Sequence, residues 1–519
     1  MTTIIVGAGS GGGALAARLT EDPDHEVTLI EAGPDYPIAE DVPAPVQDAY
    51  EMSVEGFDWG LQAYFLEPPE SRDPQPYPRG RIVGGSSAVN AAIAQRATVE
   101  DIESWKSDGN TEWGWQDVEP FFKRLENDLD FGERPAHGAE GPVPVFRHPR
   151  EQWAPAVRAF EQACLDRGFP ACEDLNEPGA TGVGPVPRNQ VGVIRASSLV
   201  TYLAEARDRP NLTIMPDATV ARVLFEGTRA VGVEVDRGGE LEQHFADRIV
   251  LAAGAVHTPH ILMLSGVGPE DVLAAQGITP VVVSEGVGRN LQDHPFVPVL
   301  TLMKERTEHV GVRAELKFTT KDAGELVDDM MIFGSVLDPA TMNMDVDTKG
   351  KMALILVALL AKPRSIGWLT LSSPDYKVQP ELHVNLSSDP TDVTRLKETV
   401  RLAFEIATSS PVKDEIDEIL FPDADTVNDD EKLEAFIRSI SNTSYHGSCT
   451  CRIGPDGDPL AVVDQHLAVR GTENLWIADA SVMVRVPTGL TNLTSYMIGE
   501  RLAGWLSTTA GDREEVASR

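Results

Sequence analysis

Apolar residues are distributed along this chain in short runs that alternate between strand and helix periods. Thr2-Thr3-Ile4-Ile5-Val6 reads as a buried strand, followed across a glycine-rich break by Ala14-Leu15-Ala16-Ala17-Arg18-Leu19, which carries helical spacing. Val27-Thr28-Leu29-Ile30 and Ile249-Val250-Leu251-Ala252-Ala253 are further buried-strand runs. Met352-Ala353-Leu354-Ile355-Leu356-Val357 is continuously apolar, whereas Gly367-Trp368-Leu369-Thr370-Leu371 alternates as a half-buried strand does. Thr391 or Asp392 is placed to cap a helix running through Arg395-Leu396-Lys397-Glu398-Thr399-Val400. Strand and helix signals in this order predict an α/β fold, and 519 residues exceed what one core usually serves, so two interpenetrating domains are expected.

The first break is informative. Gly7, Gly9 and Gly12 satisfy G-x-G-x-x-G between a strand and a helix, and Ser10 lies within the turn. The first glycine permits the tight turn, the second lets backbone approach a pyrophosphate, and the third permits close helix–strand packing. The helix N-terminus then offers unpaired N–H groups to the phosphates. Glu31, nineteen residues after Gly12 and followed by Ala32, ends the second strand, where its carboxylate can accept ribose hydroxyls. A dinucleotide is expected, and these residues alone do not separate NAD from FAD.

A formal net charge of −37 argues against nucleic acid and anionic membrane as partners. No apolar segment near the N-terminus is long enough for a signal sequence or a membrane span, so no leader, no membrane span and a cytoplasmic location are expected. Cys164, Cys172, Cys449 and Cys451 form no CxxC pair, which predicts reduced thiols and no metal site. The acidic run Asp423, Asp425, Asp429, Asp430 and Glu431 lacks calcium-loop spacing and reads as a solvated loop. Met330, Met331, Met342 and Met344 read first as core filling, with an adaptable pocket wall as the alternative.

Gly80-Arg81-Ile82-Val83-Gly84-Gly85-Ser86-Ser87-Ala88-Val89-Asn90 resembles the first signature of the glucose–methanol–choline (GMC) flavoprotein oxidoreductases. Gly254 to Gly268 is similar to the second. Trp113 to Val118, Gly286 to Pro295 and Asp479-Ala480-Ser481 are similar to other family blocks, in family order. The resemblance spans nearly the whole chain. It implies a Rossmann-like FAD-binding domain (residues 1–150, 197–300 and 440–508), a sheet-containing substrate domain (151–196 and 301–439) and a flexible tail (509–519). Cofactor contacts are implied at Arg81, Val83, Gly84, Ser87, Asn90, Ala91, Val220, Ala253, Asp479, Ala480 and Asn492, beside Gly7, Gly9, Ser10, Gly12, Glu31 and Ala32. A helix after Asn90 is expected to carry the flavin loop. Choline-oxidising relatives with covalent flavin hold His just before that Asn; Val89 here has no nucleophile, which implies non-covalent FAD.

His446 opens His446-Gly447-Ser448-Cys449-Thr450-Cys451-Arg452-Ile453-Gly454, similar to the family block H-x-x-G-T-C-x-M-G, with Cys449 for Gly and Ile453 for Met. By that resemblance His446 takes the hydroxyl proton of an alcohol while the carbinol hydride goes to flavin N5, and imidazole titrates near neutrality as the task requires. The family's second catalytic position, His or Asn, falls on Leu490, which cannot hydrogen-bond. Either His446 acts alone beside an apolar pocket wall at Leu490, or a local shift lets Asn492 or Thr491 fill the role. The implied activity is alcohol oxidation, with oxygen or another acceptor taking the electrons; non-redox or photochemical chemistry on the same fold, as lyase or decarboxylase, is the alternative.

Overall fold

Thr2–Val6 is buried at four successive residues because strands pair with it on both sides, the helix that follows it packs on the sheet, and the strand Arg229–Arg237 packs on the neighbouring Arg248–Leu251. The computed structural model describes residues 1–50, 54–66, 73–308, 311–338 and 347–507. Around this strand runs a five-stranded sheet in the order Leu212–Met215, Glu26–Ile30, Thr2–Val6, Arg248–Leu251, Leu475–Ile477, every pair parallel. The glycine-rich turn leads into the helix Ser10–Leu19, which packs against the C-terminal helix Thr491–Ser507. A three-stranded antiparallel ribbon, Thr219–Glu226, Arg229–Arg237 and Glu240–Phe245, lies in the same half.

The second sheet is antiparallel, in the order Ile416–Phe421, Pro295–Met303, Ala353–Leu360, Met330–Leu337, Arg313–Phe318, Gly182–Pro185, with Asn442–Thr443 pairing beside the start of Pro295–Met303. Side chains alternate between its faces. Val297, Ala314, Ile332 and Leu354 pack against the helices Pro155–Asp166 and Pro390–Thr408, while Phe296, Phe333 and Ile355 face a cavity toward the dinucleotide half. Burial on both faces explains the unbroken apolar run of Ala353–Leu360.

The structure departs from the sequence reading in several places. Trp368–Thr370 pairs with Glu381–His383 as a separate ribbon, and Leu369 and Leu382 join the core of the dinucleotide half, not the large sheet. The long helix begins at Pro390, and its cap is Asp389, which accepts the Thr391 N–H at 2.7 Å. Asp392 is buried and bound to the Ser365 N–H and Arg395 instead. No helix follows Asn90: its Oδ1 accepts the Ala92 N–H at 2.8 Å, Ala92 takes φ +50°, and the short helical turn lies before it at Gly85–Ala88. The acidic run is structured, because Asp423 and Asp429 cap the helices Ala424–Asn428 and Asp430–Ile440, where carboxylates satisfy free N–H groups. Met330 lies in the helix-side core and Met331 beside Leu490. Met342, Met344 and the tail 509–519 fall outside the described residues.

A buried ionic cluster ties the segment after Trp115–Leu125 to the approach of the second sheet. His137 Nδ1 lies 3.1 Å from both Glu126 Oε2 and Asp128 Oδ2, and its Nε2 lies 2.7 Å from Asp174. Arg147 bridges Asp128 at 2.9 Å and Asp174 at 2.5 Å, and Arg96 lies 3.7 Å from Glu126, so three cations answer these carboxylates. Burial disfavours the imidazolium, but hydrogen bonds to Asp128, Asp174 and Glu126 outweigh it and push His137 up to about 10. A raised folded-state pKa stabilises fully below the unfolded value near 6.5, and that contribution is lost as pH rises through about 10. His137→Ala takes one partner from each of three buried carboxylates and is expected to cost about 3–5 kcal/mol. Denaturant unfolding of the holoprotein should show a gap between parent and variant that narrows from pH 6 to pH 10.

Candidate active site

The glycines of the first turn have separable jobs. Gly7 sits at φ +102°, where a Cβ would meet the Ala252 carbonyl oxygen at 2.4 Å, and a Cβ on Gly12 would lie 1.9 Å from the Gly7 carbonyl oxygen. Gly9 has open room, with the nearest atom, Gly85 Cα, at 3.9 Å from where a Cβ would stand. Gly7, Gly9 and Ser10 line a cavity of about 1570 Å³ that runs between the two halves of the molecule. Ligand pockets usually span roughly 300–1,000 Å³, so this one has room for a dinucleotide and a substrate together.

Glu31 lines the same cavity, and its two oxygens accept the Ala8 and Gly33 N–H groups, each at 3.0 Å. Burial pushes this carboxyl up to about 7 despite those bonds. A carboxylate oxygen with one donor keeps a lone pair for a ribose hydroxyl. Asp479 accepts the Gly254 N–H at 2.9 Å, the Thr258 hydroxyl at 2.5 Å and the Ser481 N–H at 2.8 Å, which fixes the turn after Arg248–Leu251. Asn492 stands at the start of the helix Thr491–Ser507. Its Oδ1 accepts the Ser10 hydroxyl at 2.7 Å, while its buried Nδ2 has no partner among the described residues and stands in the cavity wall. That orphaned donor and the glycine cradle fit a dinucleotide cofactor.

Ala32, Arg81, Ser87, Asn90, Ala91, Val220, Ala253 and Ala480 also line the cavity; Gly12, Val83 and Gly84 stand behind its wall. The Ser87 hydroxyl is spent within its loop, donating to the Gly84 carbonyl at 2.6 Å. Val89 lines the cavity beside Asn90.

His446 is positioned by a carboxylate that the motif reading left without a role. Asp293, 3% exposed, accepts the Tyr77 and Thr443 hydroxyls on Oδ2, each at 2.6 Å. Its Oδ1 accepts the backbone N–H groups of His294 at 2.7 Å and His446 at 2.9 Å. The two imidazoles then meet Nδ1 to Nδ1 at 2.9 Å with their planes at 80°. One of those nitrogens must donate and the other accept. The carbonyls of Ala361 and Pro487 face the His294 ring, although no acceptor reaches its Nε2 at full hydrogen-bond geometry. They favour a proton on His294 Nε2, which makes His294 Nδ1 the acceptor and His446 Nδ1–H the donor. The lone pair of His446 is thereby left on Nε2. Burial first, then competition with the adjoining His294 for a proton and the positive charge of Arg79, hold His446 well below 6.5, which favours the neutral imidazole at pH 7.

Leu490 is buried against Met331, Phe333 and Leu359, and forms an apolar part of the same cavity. Two wall residues carried no motif: Arg79, whose guanidinium lies 4.0 Å above the ring of Tyr77 behind the wall, and Trp59, whose ring is tilted 33° to that of His257 with centroids 4.1 Å apart. Asp293, His294 and His257 lay inside quoted blocks, but only the fold shows what they touch.

Family models described as GMC oxidoreductase match residues 1–296 and 363–499. The chain belongs to the GMC oxidoreductase family. It is 34% identical to 5-(hydroxymethyl)furfural oxidase from Methylovorus sp., with 98% of each chain covered. It is 33% identical to mitochondrial choline dehydrogenase from Mus musculus, covering 97% of this chain and 88% of that one. The structure resembles pyridoxine 4-oxidase from Mesorbium loti with a TM-score of 0.89 at 28% identity, over 97% and 98% of the two chains. The α/β fold expected from the sequence is therefore the GMC fold, and proteins of this family bind FAD. Among the described residues no helix is long and apolar enough to cross a membrane.

His446→Ala should retain FAD and slow flavin bleaching by an oxidisable alcohol roughly 10²–10⁴-fold in anaerobic stopped flow. A depressed His pKa keeps the base form present down to acid pH, so the parent's bleaching rate should hold from pH 8 to below 6.5 and then fall. Arg79→Met removes one positive neighbour, and its acid limb should move up toward 6.5.

Proposed function

We propose that this GMC oxidoreductase oxidises the CH–OH group of an alcohol to a carbonyl, with His446 as the base and FAD bound non-covalently. The carrying observation is the neutral imidazole of His446 in the cavity wall, oriented through Nδ1 by His294, with Nε2 left to accept a proton. When bound, FAD supplies the hydride acceptor. The relatives support the reading, since 5-(hydroxymethyl)furfural oxidase, choline dehydrogenase and pyridoxine 4-oxidase are named for substrates bearing alcohol groups.

Each residue then has a defined task. His446 Nε2 accepts the substrate hydroxyl proton as the carbinol carbon loses its hydride; Asp293 holds the His446 backbone and His294 holds its ring against rotation. Leu490 presents an apolar wall, so the alcohol oxygen is oriented by His446 and by shape. Asn492, tied to Ser10, directs its free Nδ2 to the cofactor. Val89 offers no nucleophile for a flavin link. On this reading residues 1–150, 197–300 and 440–508 supply the cofactor side and 151–196 with 301–439 the substrate side, with the strand Pro295–Met303 joining the substrate sheet. Oxygen or another acceptor takes up the electrons, and four buried free thiols support a cytoplasmic setting.

Under anaerobic conditions an oxidisable alcohol should bleach the flavin and yield the aldehyde or ketone in one equivalent; persistence of oxidised flavin across aliphatic, aromatic, amino and sugar alcohols would sink the reading. Acid precipitation should release intact FAD to the supernatant, and a yellow pellet would mean a covalent link. Leu490→Asn places an amide in an apolar wall, where an unsatisfied polar group costs about 1–3 kcal/mol. Its melting temperature or its bleaching rate should therefore fall below the parent's.

A further inference from the structure

The sheet face turned toward the cavity is apolar almost throughout. Cross-strand register orders it in rows: Phe296, Leu359 and Met331 form one, Pro298, Val357 and Phe333 the next, and Leu300, Ile355 and Ser335 the third. Successive rows are two residues apart, roughly 7 Å along the strands. The first row adjoins Asn442, four residues before His446, and Leu490 packs on the first two. The third ends on Arg313, which pairs with Ser335. Ala314, Leu316 and Phe318 belong to the helix-side core, so alternation turns Arg313 to the cavity, which it lines.

Arg313 has no carboxylate there. Its Nε is buried without a partner, and its guanidinium makes no ion pair or side-chain hydrogen bond among the described residues. The nearest acids on its own strand face and at the cavity mouth are engaged elsewhere: Glu315 Oε2 accepts from Gln95, and Asp338 from Arg306 at 2.8 Å. A second buried arginine, Arg188, also lines the cavity; burial first, then the charge of Arg313, lowers its pKa. It donates to the Gln190 side-chain oxygen at 2.6 Å and to the Ala49 carbonyl at 3.1 Å, and it too lacks a carboxylate. Two uncompensated guanidiniums inside a protein of net charge −37 are costly unless something anionic meets them. A planar guanidinium with free donors matches a carboxylate in two parallel hydrogen bonds.

We propose that Arg313, with Arg188 behind it, binds the carboxylate of the substrate, which makes the substrate a hydroxycarboxylic acid whose apolar body spans the Phe333–Val357 row between the carbinol and the anion. This rests on the alcohol-oxidising reading of His446 and names the substrate class for it. The same pair of charges disfavours a cationic alcohol such as choline.

The test compares 4-(hydroxymethyl)benzoate with its methyl ester as anaerobic reductants of the holoenzyme. The acid should be favoured at least tenfold in bleaching rate constant over dissociation constant. Arg313→Met, checked for parental FAD content and melting temperature, should bring that ratio to near one, and Arg313→Lys should keep an intermediate ratio. Terephthalate, which has no alcohol to oxidise, should perturb the flavin absorbance of the parent and not of Arg313→Met. Equal handling of acid and ester by the parent, or an Arg313→Met ratio unchanged from the parent's, overturns the proposal. If terephthalate binds the parent alone while neither alcohol bleaches the flavin, the anion site stands and the alcohol-oxidising reading falls.

Discussion

A single buried carboxylate holds the chemistry of this protein in place. Asp293 gathers four donors from three stretches of chain: Tyr77 from the dinucleotide half, the His294 backbone beside it, and Thr443 and His446 from the segment entering the cavity. Water would solvate a carboxylate better than an apolar interior, so its burial is tolerated only because every donor is aimed at it. Removing any one would leave Asp293 under-satisfied and free the backbone that carries the base. Tyr445, immediately before His446, sits at φ +61°, and its N–H is held by the Thr443 hydroxyl that also donates to Asp293. The unfavourable backbone conformation and the carboxylate are thus parts of one device.

The chain is strongly acidic, yet its cavity wall is mixed: Glu31, Asp48, Asp236, Asp338 and Asp479 line it together with Arg79, Arg81, Arg188, Arg313, His257 and His446. Burial and mutual repulsion keep the histidines neutral, with His257 pushed down to about 3. Neutral imidazoles can accept protons, and fixed guanidiniums favour anions, so the cavity is suited to a proton acceptor beside a negatively charged ligand. The open N-terminus of Ser10–Leu19, whose cap Gly9 supplies no side-chain acceptor, leaves its N–H groups for phosphate oxygens on the dinucleotide side.

Much of this was legible in the sequence, because some functions need particular residue types at fixed local spacing. The strand–glycine–helix turn with Glu31 announced a dinucleotide, since only glycine satisfies the close approaches at Gly7 and Gly12. The blocks around Gly84, Gly254 and His446 announced the family, and Val89 and Leu490 marked where the chain departs from it. Local pattern misled where a side chain found a distant partner. Asp392 looked like a cap but is drawn inward by Arg395 and the Ser365 N–H, and the alternation of Trp368–Thr370 described a real half-buried strand but not its sheet, which is a separate ribbon and not the substrate-domain sheet.

Only the tertiary structure decided which groups meet. The His294–His446 contact joins residues 152 positions apart, and Asn492 reaches Ser10 across 482. Arg313 carries no motif at all. Its meaning comes from strand parity, which turns it to the cavity, and from the absence of a carboxylate among the described residues that would pair with it. Motifs record what backbone geometry demands of neighbouring residues, and so the sequence by itself determined the cofactor class and the family, and pointed to His446 as the proposed base. Orientation of the base, its protonation state and the charge presented to the substrate depend on distances across the fold, because Coulomb forces and desolvation act through space and not along the chain.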